Sequence, residues 1–197
     1  MRKLVVCTLM SLDGYFEGEG KNFMVMPADH SFDAYCAERL RTADTLLLGR
    51  ATFELFHGFW PAVADNPGAS ADQREISKRD NELQKVVVSD TLTLQPGTPW
   101  VSSTRVVSQA QAVDTVRDLK AEPGGDILTF GSKHLWNGLL AAGLVDELHL
   151  MVGPAVLGGG TPVFGSAPVA GLRRIGVQTF DGSDNVVLRY AVDAEKS

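Results

Sequence analysis

Twice in this sequence an apolar run passes through a glycine and straight into a segment with helical spacing. In the first instance Ala43 to Leu48 meets Gly49-Arg50-Ala51-Thr52. In the second, Ile127 to Phe130 meets Gly131-Ser132, and Leu135, Trp136, Leu139, Leu140 and Leu144 then recur at helical intervals. One strand–glycine–helix junction is common in α/β domains, but two imply parallel strands whose carboxyl ends share an edge. At such an edge the unpaired N–H groups of a helix start and the positive end of its dipole face outward, which suits phosphate. Gly131 lacks the Cβ that would hold a ligand off, and Ser132 stands where an N-cap oxygen belongs. The pattern predicts an open sheet with an anion-binding rim.

The rest of the chain fits around that sheet. Lys3 to Met10 is a continuous apolar stretch, as expected for a central strand buried on both faces. Ser11-Leu12-Asp13-Gly14-Tyr15 reads as turn chemistry, or as a loop passing over a cofactor with Tyr15, Phe16 and Phe23 walling a cleft. His30 to Arg41 has helical spacing, with Asp29 or Ser31 as its cap and Asp33 one turn in, beside aromatic neighbours. Trp60-Pro61 ends the helix that starts at Arg50, and Ala62 to Gln73 is a polar loop without periodicity, a surface segment or a lid. A charged helix from Arg74 to Leu83 leads to a strand, Val86 to Val88, that stops at Ser89-Asp90. Trp100-Val101 and Arg105 to Val107 look like short strands, and Gln109 to Glu122 a helix broken by Pro123-Gly124-Gly125. Val145 to Val152 alternates as a strand, with Val145, Glu147, His149 and Met151 on one face. Gly158-Gly159-Gly160 gives up side-chain packing for backbone freedom. Two strands around Asp181-Gly182-Ser183-Asp184, within Leu172 to Val192, read as a hairpin.

Residues 1–197 read as a single domain, since no repeat, low-complexity run or linker divides them and 44% are hydrophobic. A chain of this length buries roughly 70% of its unfolded surface without staples. Cys7 and Cys36 show no paired spacing, so a reduced, cytoplasmic protein is expected. No apolar run approaches membrane-spanning length, and the basic start runs into Asp13-Gly14 without a cleavage pattern. A net charge of −6 without basic clusters argues against a nucleic-acid partner. His30, His57, His134 and His149 are scattered, so no metal site is expected. The serine-hydrolase elbow and the P-loop are both missing, as is the G-x-G-x-x-G dinucleotide fingerprint. What remains is a pair of phosphate-binding strand ends without a nucleophile. Hydride transfer suits that inventory, because a cofactor carries the reaction and the protein supplies orientation and a dry cleft.

The runs LLLGRATFELFHGFWP, QKVVVSDTL, DILTFGSKHLWNGLL and LVDELHLMVGPAVLGGGTPVF together resemble the dihydrofolate-reductase-like reductases. The likeness is closest to the reductase domain of riboflavin biosynthesis, the RibD C-terminal type, and its small stand-alone relatives. It spans the chain from Ser11 to Gly160. The resemblance implies a dihydrofolate-reductase-like α/β fold of three layers, with a mixed, mainly parallel sheet between helices and a C-terminal antiparallel hairpin. It also implies a reduced nicotinamide cofactor and a homodimer. Carried onto this sequence, Gly49, Arg50 and Thr52 would meet the cofactor's phosphates, Ser89 its adenosine side, and Gly131, Ser132 and Leu135 the pyrophosphate. Asp13 and Gly14 would lie near the nicotinamide, and Gly158 and Gly159 at the pocket mouth. Tyr15, Phe23 and Met26, with Met24, Phe56, Phe59 and Trp60, are candidates for the substrate wall or for core.

Three departures from the family pattern matter. The zinc deaminase module of the bifunctional riboflavin enzymes is missing, so only the reduction is expected. Asp90 follows Ser89 where relatives accommodate the 2′-phosphate of NADPH. Two like charges about 5 Å apart at an effective dielectric near 20 repel by roughly 3 kcal/mol, on the order of a hundredfold in affinity. NADPH is still expected, with Arg50 and Arg105 compensating, and NADH is the open alternative. Finally, Asp33 stands at the distance before Gly49 that dihydrofolate reductases use for a buried helical carboxylate. Burial raises such a group's pKa and suits it to proton donation. The expected activity is hydride delivery to a C=N or C=O bond of a small polar heterocycle or ribosylamino-pyrimidine. The alternatives are a dihydrofolate-type pterin reductase and a non-catalytic dinucleotide-binding protein.

Overall fold

The computed structural model describes residues 1–26, 28–165 and 171–193. In chain order the first half comprises β1 (Leu4–Ser11), β2 (Tyr15–Glu17), α1 (His30–Leu40), β3 (Ala43–Gly49), α2 (Arg50–Phe59), α3 (Ala71–Glu82) and β4 (Gln84–Val88). The second half adds β5 (Thr104–Val107), α4 (Ala112–Ala121), β6 (Asp126–Phe130), α5 (Lys133–Ala141), β7 (Glu147–Gly153), β8 (Thr161–Pro162), β9 (Leu172–Thr179) and β10 (Val186–Val192).

Among the described residues eight strands form one sheet in the order β5-β4-β3-β6-β1-β7-β10-β9. All pairings from β5 to β7 are parallel, while β10 runs antiparallel to both β7 and β9. This is the mixed, mainly parallel sheet with a C-terminal hairpin that the sequence predicts. A separate two-stranded ladder, β2 with β8, crosses from the first loop to the glycine run.

β1 is central because both of its faces are covered. Leu4 and Val6 join Leu47, Ile127 and Leu148 in the cluster that receives Val116 of α4 and Trp136 and Leu139 of α5. Val5 and Cys7 join Leu46, Leu48 and Leu128 in the other cluster, with Tyr35 and Leu40 of α1, Phe53 of α2 and Ile76 of α3. The two-residue period of the strands thus sorts the helices into two layers. Each fully buried aliphatic side chain contributes about 1.5–3 kcal/mol, so a charge placed at Val6, which is fully buried, would break the sheet at its middle.

Two local expectations change. Trp100-Val101 is not a strand: Trp100 has φ 63 and leads into a 3-10 turn, Val101–Ser103. Its indole N–H donates to Asn81 Oδ1 at 2.6 Å, and Lys85 Nζ lies 4.5 Å over its ring. Those long-range contacts override an aromatic residue's preference for extended backbone. The polar segment before Arg74 is also more ordered than its composition suggests. Trp60–Asp65 is a 3-10 turn, and α3 begins at Ala71 rather than Arg74. Ser70 Oγ accepts from Gln73 N–H at 3.1 Å while Gln73 Oε1 accepts from Ser70 N–H at 3.2 Å, a reciprocal cap legible as Ser-x-x-Gln.

Candidate active site

Because β3 and β6 are parallel neighbours, both strand–glycine–helix junctions open onto one edge of the sheet. Gly49 and Gly131 stand side by side there. Gly49 N–H donates to Ser132 Oγ at 3.0 Å, and Ser132 N–H donates to Thr52 Oγ1 at 3.0 Å. A Cβ on Gly131, whose φ is 53, would stand 3.1 Å from Thr52 Oγ1 and 3.9 Å from the Phe16 ring. The missing side chain is what lets the two junctions touch.

The lacing corrects one expectation. Ser132 occupies the N-cap position of α5, but its backbone is left-handed (φ 45) and its hydroxyl makes no capping bond. It serves the neighbouring junction instead. The Gly49 amide is therefore engaged within the protein, and the amides without an intrahelical partner lie one step further in. In α5 these are Lys133 to Leu135, ahead of the first helical bond from Trp136 N–H to Ser132 O at 3.1 Å. Leu135 itself packs partly buried against the core.

Asp13 is the second organising residue. Its carboxylate accepts from Ser11 Oγ at 2.7 Å, from Leu157 N–H at 3.0 Å and from Gly158 N–H at 2.7 Å. The Ser11 hydroxyl and the two amides hold its pKa down at about 2. Asp13 thus pins the loop after β1 to the glycine run. Gly14, with φ 90, closes the turn, and Val163 N–H donates to its carbonyl at 2.9 Å. At Gly160 (φ 126) a Cβ would stand 2.2 Å from the Glu17 carbonyl oxygen, so only glycine lets β2 lie across this loop. Gly159 lies near Glu19 in the same crossing.

The edge is asymmetric. Beside β6 and β1 it is aromatic and aliphatic: Phe56 lies 6.3 Å from Phe130 and 6.4 Å from Trp60, and Phe16, Leu9 and Met10 pack partly buried nearby. Of the candidate wall residues, Tyr15 is half-buried in β2, Phe23, Met24 and Phe59 are exposed, and Met26 is buried. Beside β4 the edge is polar. Ser89 Oγ accepts from Thr91 and Leu92 N–H at 3.1 and 3.0 Å, Asp90 Oδ1 accepts from Gln109 N–H at 3.0 Å, and Arg50 donates to Thr91 Oγ1 at 2.7 Å.

Asp33 lies half-buried on α1, where its Oδ2 accepts from Gln73 Nε2 of α3 at 3.0 Å. Burial raises its pKa, against the pull of the Gln73 amide. The inner face of the same helix carries a chain that periodicity alone leaves unassigned. Tyr35 Oη lies 2.7 Å from His149 Nδ1, His149 Nε2 lies 2.9 Å from Glu147 Oε2, and Lys3 Nζ donates to Glu147 Oε1 at 2.7 Å. The His149 contact depresses the Glu147 pKa to about 2, burial opposing and Lys3 adding to it. With the ionised Glu147 accepting from Nε2–H, a neutral imidazole takes the Tyr35 hydroxyl as donor to Nδ1. The signal in the sequence was the shared face of Glu147 and His149; Tyr35 required the fold. Among the described residues no cluster of potential metal ligands occurs, and no helix is long and apolar enough to cross a membrane.

A mixed, mainly parallel sheet with paired helix starts at its carboxyl edge, an antiparallel hairpin at one side and a glycine loop pinned by Asp13 defines the dihydrofolate-reductase-like fold class. The family model for the RibD C-terminal domain matches residues 2–187, and the chain belongs to that family. It is similar to the uncharacterized protein YyaP of Bacillus subtilis (strain 168), 28% identical over 165 residues, 83% of this chain and 80% of that one. Its fold is that of a pyrimidine reductase-like protein from Corynebacterium diphtheriae (TM-score 0.67, 17% identity, 98% and 92% of the two chains). It is also that of dihydrofolate reductase from Enterococcus faecalis solved with NADP(H) (TM-score 0.61, 17% identity, 97% and 96%).

Proposed function

We propose that this protein is a reductase that binds a reduced nicotinamide dinucleotide, NADPH or NADH, across the Gly49–Gly131 rim. It delivers hydride to a C=N or C=O bond of a small polar heterocycle or ribosylamino-pyrimidine, a reduction of the kind used in riboflavin biosynthesis. The observation that supports this best is that both strand–glycine–helix junctions open side by side on one edge of the sheet, laced through Ser132 and Thr52, with the Gly49 amide itself taken up by that lacing. When bound, the cofactor supplies the hydride. This chain's own residues do the rest. The first-turn amides of α2 and α5 hold the pyrophosphate, Asp13 fixes the glycine loop, and Phe16, Phe56 and Phe130 keep water from the reacting carbon.

Asp33 supports a more specific, dihydrofolate-type version, because a carboxyl raised by burial suits proton donation to the substrate. In that version Asp33→Asn lowers kcat at least a hundredfold and leaves nucleotide affinity within threefold. Turnover unchanged by Asp33→Asn removes that residue from the mechanism. The exposed apolar residues of edge strand β9, Leu172, Ile175 and Val177, support a homodimer, checked by sedimentation. The buried, unpaired Cys7 and Cys36 fit a reducing cytoplasm.

The test is oxidation of NADH and NADPH, followed by absorbance, against a panel of pterins and ribosylamino-pyrimidines. Consumption with one member of the panel is the expected result. Nucleotide binding without consumption across the panel would instead favour a non-catalytic dinucleotide-binding protein.

A further inference from the structure

Asp80 and Lys85, at the end of α3 and in β4, are the most deeply buried carboxylate and ammonium among the described residues, each 1% exposed. They do not meet as an ion pair. Lys85 Nζ donates to the main-chain carbonyl of Asp80 and, at 2.7 Å, to that of Leu83, and it stands 4.5 Å over the Trp100 ring. An ammonium has three protons, and two carbonyls with one ring face engage all of them. The Asp80 carboxylate is left over, because no donor among the described residues reaches either of its oxygens. Such a site tolerates the neutral acid far better than the anion.

The groups around Asp80 offer the anion little else. From α1 the facing titratable group is Cys36, whose thiol is held neutral by burial, with Cys7, Asp33 and Asp80 adding to the effect. Asp33 itself bonds to Gln73, nearly two turns away along α3. The 3-10 turn Trp60–Asp65 presents carbonyls, that of Trp60 accepting from Ser77 Oγ at 2.5 Å and that of Pro61 from Asn81 Nδ2 at 3.1 Å. On α3, Arg79 is paired with Glu75 and Glu82. From β4 comes Lys85. Burial pushes the Asp80 carboxyl up to about 7 against the pull of Lys85, and burial brings Lys85 down to about 8 against that of Asp80.

Trp100 joins this corner to the rim. Its indole N–H donates to Asn81 Oδ1 at 2.6 Å, while its ring lies 6.2 Å from Phe53 and 5.9 Å from His57, both on α2. The first turn of α2 carries Thr52, which accepts from Ser132 N–H at the rim.

We propose that Asp80, Lys85 and Trp100 form a proton-controlled latch that fixes α2, and with it one helix start of the rim, to the corner between α3 and β4. With Asp80 protonated, Lys85 caps α3 and supports the indole. When Asp80 releases its proton to solvent, the buried anion draws the Lys85 ammonium to itself, and the indole loses its support. The latch does not depend on what the rim binds.

The indole N–H resonance of Trp100 in the full chain reports the state of the latch, with the fully buried Trp136 as internal reference. Between about pH 5 and about pH 9 the Trp100 resonance should move through one midpoint near 7 while Trp136 stays in place. Asp80→Asn keeps the shape without the proton and should abolish the movement. His57→Gln, which removes the titratable group of α2 that touches Trp100, should preserve it. No movement in the unmodified protein, movement that persists in Asp80→Asn, or movement lost in His57→Gln overturns the latch. Without any variant, the carboxyl-carbon shift of Asp80 should titrate with the same midpoint, and a carboxyl already ionised at about pH 5 overturns it equally. Amide exchange in α2, corrected for its intrinsic dependence on hydroxide, should rise about tenfold across that midpoint. Corrected exchange that stays level overturns the link to the rim.

Discussion

The two edges of this sheet are made by different chemistry. At the amino edge of the parallel strands, charged side chains are drawn inside and matched. Arg2 bonds to Asp44, donates to Thr45 Oγ1 at 2.7 Å and to the Gly125 carbonyl at 2.9 Å, and Gly125 N–H returns a bond to Asp44 Oδ2 at 2.7 Å. Lys120 donates to the Leu144 carbonyl at 2.8 Å and to Asp146 Oδ2 at 2.5 Å, which also accepts from Leu4 N–H. The Lys3–Glu147–His149–Tyr35 chain leads from this edge into the core. At the carboxyl edge the pattern reverses: glycines, helix starts, exposed Leu12 and Val156, and loops tied by a few bonds to Asp13 and Ser132. One edge spends its polar groups on itself, and the other leaves them near the surface, where the proposed nucleotide would lie. Changes at the first should therefore cost stability and spare binding, and changes at the second should do the reverse.

The sharpest break in that contrast comes from Gly160→Ala. Its Cβ would collide with the Glu17 carbonyl and must displace β2 from β8. Nucleotide affinity should fall at least a hundredfold by fluorescence titration, while the far-ultraviolet spectrum of the sheet survives. Lys120→Met tests the opposite edge. Removing one partner from a largely buried pair, with Asp146 itself partly exposed, should cost about 2 kcal/mol in urea unfolding and leave nucleotide affinity within twofold. A large loss of affinity in Lys120→Met would show that the two edges are coupled.

Ser132→Ala is a milder probe of the rim. It strips the Gly49 amide of its partner, at about 1 kcal/mol of stability, and should loosen nucleotide binding about tenfold by unlacing the two helix starts. The smallest effect is in acid. The pKa of Glu147 lies below its ordinary 4.5, near 2, so its contribution to stability is fully present above about 4.5 and is lost as pH falls toward 2. Glu147→Gln should flatten the dependence of the unfolding free energy on pH across that window. An unchanged slope would mean that Glu147 has the same pKa in the folded and unfolded states, and that its contacts with His149 and Lys3 do not depress it.

Much of the architecture was legible because strands and helices announce themselves locally. The unbroken apolar run of β1, the junctions at Gly49 and Gly131 and the hairpin around Gly182 each depend on residues within a few positions of one another. The reciprocal Ser70–Gln73 cap is equally local, but the polar composition of 62–73 masks it, and the sequence reading starts the helix at Arg74. Trp100 shows the limit: its left-handed backbone follows from Asn81 and Lys85, 19 and 15 positions away. The site divides in the same way. Arg50 and Glu54 are one helical turn apart, so their pairing could be read from spacing. The exchange of Ser132's hydroxyl to the Gly49 amide across 83 positions could not.

By itself, then, the sequence determined the alternation of strands and helices and the placing of two glycines at strand ends, since both follow from periodicity and backbone sterics over short distances. Only the tertiary structure decided which hydroxyl meets which amide, that Asp13 holds the glycine run, and that Asp33 meets Gln73 of α3. Those choices depend on how neighbouring strands pair in register, and pairing joins residues far apart in the chain.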